Sequence, residues 1–121
     1  MGLDFTHCDA HWSYSGFNRF RNKLVVALGY TTPLNEMYDN CTYDQLKHEP
    51  IYPIINHSDC DGYLTVKEMK QVIPHLRIIL EMWENDSKLI EYEYEHDIRQ
   101  GRYLIEGMEE AILADESIEF I

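Results

Sequence analysis

Basic residues are scarce in this chain. Ten Lys and Arg face 22 Asp and Glu, and the formal net charge is −12. Such a field repels nucleic acid at long range, so direct DNA or RNA binding is not expected. It favours a basic protein partner, or it simply keeps the protein in solution. Cysteine is also rare. Cys8, Cys41 and Cys60 are an odd number at irregular spacing. That excludes a disulfide framework of the kind small secreted domains use and points to a reducing, cytoplasmic setting. No CxxC pair is present, which removes the strongest zinc signature. Long apolar runs are missing too. None approaches the ~20 residues that a membrane-spanning helix needs. The opening "MGLDFTHCDAH" has no basic stretch followed by an apolar one, so no signal peptide is expected. Glycine-rich phosphate loops, GxSxG and HExxH are all absent, and no enzyme chemistry is expected.

What is present suits one small globular domain spanning 1–121. Apolar residues make up 45% of the chain and charged residues 26%, a foldable balance. The charge is unevenly spread. Residues 85–121 hold eleven acids against Lys88, Arg99 and Arg102, whereas residues 1–31 are slightly basic.

The periodicity predicts a mainly α fold. In "SYSGFNRFRNKLVVALGY", Phe17, Phe20, Leu24 and Leu28 recur at steps of three and four, with Ser13 or Ser15 as N-cap and Gly29 closing the helix. Asn18, Arg21, Asn22 and Lys23 are placed mostly on the opposite side. "TTPLNEMYDN" reads as a short helix and "TYDQLKHE" as a further turn. Pro50 and Pro53 predict an extended or broken segment over 49–55. Thr65 and Glu68 form an S/T-x-x-E capping box that opens a helix. Pro74 predicts a kink or a break in it. The longest helical candidate runs from Ser87 to about Glu116, with Gly101 and Gly107 marking close packing against a neighbour. "GLDF" and "SIEFI" have strand character, and their pairing predicts a two-strand ribbon made from the termini.

The stretch "NHSDCDGYLTVKE" carries the most specific chemistry. With Gly62 at loop position six, Asp59 falls at three, Asp61 at five, the Tyr63 carbonyl at seven, Leu64 at eight, Thr65 at nine and Glu68 at twelve. This resembles the EF-hand loop, in which a hard cation collects oxygen ligands at those positions. The resemblance implies a weak calcium site, because His57 stands at position one where a carboxylate is usual. Two other readings share the register. One is a metal-free turn built from Gly62 and the capping box. The other is a transition-metal site, which an imidazole suits better than calcium does.

"THCDAHW" sets His7 and His11 four apart. On a helix that spacing would offer two ligands to zinc or nickel, with His57 or Asp59 as a third. The alternative is a packing cluster with Trp12 and Tyr14. Arg19, Arg21 and Lys23 are placed to meet the acidic C-terminal helix of the same chain. "MGLDFTHCDAHWSYSGFNRFR" and "NHSDCDG" also resemble the signatures of a family of small phage and bacterial proteins. That resemblance implies a cytoplasmic protein acting during infection or from a prophage, and it implies no activity.

Two functions follow as expectations. One is a non-enzymatic protein-binding module with an EF-hand-like structural loop. The other is a phage-type inhibitor whose acidic face, with Glu91, Glu95, Glu109 and Glu110, mimics nucleic acid in a basic groove of a host protein. Oligomeric state is open in both.

Overall fold

The computed structural model describes residues 2–30, 41–57, 62–86 and 92–121. Strand β1 (Gly2–Phe5) pairs antiparallel with β2 (Cys8–Ser13) across a two-residue turn. At that turn His7 takes a left-handed φ of 61°. Helix α1 (Tyr14–Ala27) follows directly. Its N-cap is Ser13, whose Oγ accepts from the Gly16 N–H at 3.0 Å. Its C-cap is Leu28, and Gly29 at φ 97° supplies the left-handed residue that ends it.

Helices α2 (Cys41–Leu46) and α3 (Tyr52–Ile55) are short. The expected break over 49–55 is a single helical turn with Pro53 inside its start, where its missing N–H costs nothing. The helix expected over "TTPLNEMYDN" lies outside the described residues. Strand β3 (Tyr63–Leu64) leads into α4 (Val66–Asn85), then α5 (Tyr92–Leu113) and β4 (Ile118–Glu119). Of the kink or break expected at Pro74, the break is absent, because α4 runs on through the proline as one helix. Val72, Ile73, Leu76, Ile79 and Leu80 are buried on both sides of the proline. Their packing outweighs one lost helical hydrogen bond.

The terminal ribbon is only partly as expected. "GLDF" pairs with its own hairpin partner, and β4 pairs with β3 in the loop. The termini still meet. Phe5 and Phe120 form an isolated antiparallel bridge. The Ile121 N–H donates to the Asp4 carbonyl at 2.8 Å, and the Thr6 N–H to the Glu119 carbonyl at 3.0 Å. The C-terminal segment therefore lies between the loop strand and the N-terminal hairpin.

An aromatic cluster sits beneath this arrangement. Trp12 stacks on Phe20 at 4.8 Å, Phe5 meets Phe120 edge-on at 4.6 Å, and Phe17 touches Trp12 and Phe120. Helices α4 and α5 pack antiparallel. Arg77 reaches Glu109 at 3.0 Å, and Arg102 grips Glu84 through two bonds of 2.7 and 2.5 Å. The Arg102 hydrogen bond holds the Glu84 carboxyl below its usual range. The pair is half-exposed, so it contributes about 0–1 kcal/mol, present at neutral pH and lost as acid protonates Glu84.

Both marked glycines are close-approach positions. A Cβ on Gly101 would lie 2.9 Å from Leu80 of α4, and one on Gly107 would lie 2.4 Å from Cβ of Cys8 in β2. No helix of the described residues is long and apolar enough to cross a membrane.

Candidate functional site

The described part of the loop between α3 and α4 is linked both to α1 and to β4. Gly62, at loop position six, adopts φ 101°, which only glycine holds without strain. Leu64, at position eight, is buried and pairs with Ile118. The Phe120 N–H donates to the Gly62 carbonyl at 2.8 Å. Asp59 and Asp61 lie outside the described residues.

The other four expected ligand positions are described. His57 points inward. Its Nε2 lies 3.1 Å from the Tyr63 carbonyl oxygen, and its ring stacks on Phe120 at 3.6 Å. Donation from Nε2–H thus links loop positions one and seven through a single hydrogen bond, where an EF-hand would join them through the ion. Thr65 and Glu68 form the capping box in full. Glu68 Oε1 accepts from the Thr65 N–H at 3.0 Å, and Thr65 Oγ1 accepts from the Glu68 N–H at 3.2 Å. A cation seated here would share the Glu68 carboxylate with the cap and the Tyr63 carbonyl with His57. Among the described residues no three His, Cys, Asp or Glu side chains converge to hold a metal ion.

Arg21 anchors the loop from the other side. It is buried in α1 rather than exposed as its polar character suggested. Its guanidinium donates to the His57 carbonyl, to the Ile55 carbonyl at 3.4 Å and to Asn18 Oδ1 at 2.9 Å. The spacing held a signal. Arg21 is four residues after Phe17 and three before Leu24, so it shares the apolar stripe. Phe120 had no such signal, because its contact with His57 depends on the C-terminal strand pairing with the loop strand.

The N-terminal histidines do not converge. His11 lies on a strand, not a helix, and its Nδ1 sits 2.8 Å from Asp4 Oδ1. His7 sits at the hairpin turn, its ring nitrogens 3.9 Å from Glu110 and 3.6 Å from Glu116. Between them, Cys8 Sγ donates to the Tyr103 carbonyl at 3.2 Å. Burial, with Asp9, Glu106 and Glu110 nearby, pushes the Cys8 thiol up to about 11. It therefore holds its proton and is a poor nucleophile.

The acidic C-terminal helix meets one of the expected cations. Lys23 Nζ lies 2.6 Å from Asp97 Oδ2. Elsewhere on α5, Arg99 and Arg102 interrupt the carboxylates, Glu109 is paired with Arg77, and Glu91 lies outside the described residues. The outer face of α4 is different. Pro74, Ile78 and Met82 are exposed at steps of four, with Ile78 55% and Met82 51% exposed. Leu113, 89% exposed, stands beside Pro74 across an apolar groove floored by Ile73 and Ile112.

Glu68→Ala removes half of the capping box and is expected to cost about 1 kcal/mol of stability. The loss should be the same with calcium and with a chelator. Chemical denaturation of the variant in both buffers checks it.

Comparisons with protein-family models, with curated proteins and with solved structures gave no match, so it is the geometry of the chain that carries its functional reading.

Proposed function

We propose that this is a non-enzymatic protein-binding module. The outer face of the α4–α5 hairpin docks a basic amphipathic segment of a partner protein. The 57–68 loop is a structural junction closed by protein atoms, and calcium plays no part in closing it. The observation that carries the reading is the exposed row Pro74, Ile78 and Met82 continuing to Leu113. Monomeric domains seldom expose apolar side chains in a continuous row without a partner to cover them. Charge complementarity names the occupant. Exposed Glu81 and Asp86 flank the row, Glu84 and Glu109 are each paired with an arginine, and the chain carries a net charge of −12. A helix with one apolar and one basic face matches both features.

A photo-crosslinker placed at position 78 should trap the partner, which is then purified. Met82→Asp and Ile78→Asp should each weaken its binding tenfold or more, and added salt should weaken it further. Unchanged affinity in both variants, or a crosslink only to a second copy of the chain, would overturn the proposal. The nucleic-acid-mimic reading requires a different result. Reversing Glu95, Glu109 and Glu110 would abolish binding while Ile78→Asp left it intact. The arginines interleaved on α5 support it less well than the apolar row supports docking.

A further inference from the structure

We propose that the cleft between the end of β2, the first turns of α1 and the facing side of α5 binds a small oxyanion, a phosphate or carboxylate group of a small molecule. The cleft has a volume of about 300 Å³, the lower end of the range for ligand pockets. Its polar lining is Ser13, Arg19, Lys23, His96 and Asp97, with Trp12 forming one wall.

Local charge runs against that of the whole chain. Among the described residues Asp97 is the acid that lines the cleft, and both of its oxygens are engaged. Trp12 Nε1 donates to Oδ1 at 3.0 Å, and Lys23 Nζ to Oδ2 at 2.6 Å. The Lys23 charge balances that carboxylate, which leaves Arg19 as the uncompensated charge. Arg19 makes no ion pair among the described residues. Its guanidinium folds back over the first turn of α1. A Cβ built on Gly16 would lie 2.8 Å from Ser13 Oγ and 3.8 Å from both Arg19 Nη2 and the Trp12 ring, so Ser13, Arg19 and Trp12 gather around the bare glycine.

The donors suit an oxyanion. Arg19 offers a planar fork that matches carboxylate or phosphate oxygens two at a time. The His96 ring and the Ser13 hydroxyl add hydrogen bonds, and α1, 14 residues long, directs its positive end to the same place.

The test is an NMR titration of the full chain with inorganic phosphate and, separately, with acetate, at ionic strength held constant with sodium chloride. Saturable shifts at Gly16, Arg19 and His96 are expected with at least one of the two, and the tighter probe identifies the oxyanion class. Arg19→Gln should keep the fold, because Arg19 is exposed, and should weaken binding tenfold or more. Shifts no larger than chloride alone produces, or undiminished binding by Arg19→Gln, would overturn the site.

Discussion

Asp97→Ala should lose about 3–5 kcal/mol of stability, the loss typical of breaking a buried ion pair. Asp97 is 3% exposed and is tied to two elements at once, to Lys23 of α1 and to Trp12 of β2. Removing the carboxylate takes from the Lys23 ammonium its partner at 2.6 Å, and that side chain is 15% exposed and lies over the Tyr94 ring at 4.6 Å. It also leaves the Trp12 N–H without its acceptor. Lys23→Met should be costly for the mirror reason, since Asp97, 3% exposed, then keeps a charge without its 2.6 Å ammonium partner. The double variant should lose less than the two single losses added together, because neither charge is then left alone. Asp97→Asn should fall between, keeping an acceptor for Trp12 but no charge for Lys23. Urea denaturation of the four variants gives the cycle. Additive losses would mean that the pair does not act as a unit.

Gly107→Ala should destabilise the protein by about 1–3 kcal/mol, although alanine is the better helix former by about 1 kcal/mol. The new methyl would lie 2.4 Å from Cys8 Cβ and 2.9 Å from Cys8 Cα. The second atom is backbone, so no rotamer change relieves it. β2 and α5 must separate, and the Cys8–Tyr103 and His11–Gln100 hydrogen bonds that stitch them must lengthen. Gly101→Ala is the internal control. Its obstacle is the Leu80 side chain, which can turn aside, so its loss should be smaller. If Gly107→Ala melts at or above the wild-type temperature, the approach of β2 to α5 is looser than described.

How much of this was legible in the sequence depended on the range of the interaction. The Ser13 cap, the Thr65–Glu68 box, Gly29 and the apolar faces of α1 and α4 are local features, set by residues within one or two turns of each other. They were readable for that reason. Gly101 and Gly107 announced close packing but not its partner, because a missing side chain does not say what fills its place. The strand pairing was misread in part. "GLDF" and "SIEFI" were recognised as strands, but alternation does not choose between a hairpin neighbour and a distant one. His7 and His11 have a spacing that means one face only on a helix, and on β2 it has no such meaning. Arg21 was assigned to the surface by residue type. Burial beside backbone carbonyls that it satisfies overrides that tendency.

The closure of the 57–68 loop explains why these distant parts hold together. His57 joins the loop start to the Tyr63 carbonyl and to Phe120, Arg21 holds the His57 carbonyl from α1, and β4 zips Leu64 to the C-terminus. Every one of those links is made by protein atoms. The most direct measurement is therefore the thermal melt of the wild-type chain in saturating calcium and in excess chelator, repeated for Glu68→Gln. Closure by protein atoms predicts coincident wild-type curves, and a Glu68→Gln loss that is the same in both buffers. A calcium-dependent rise in the wild-type melting temperature that Glu68→Gln abolishes would contradict it, since only a ligand bound to the folded state shifts the curve in that way.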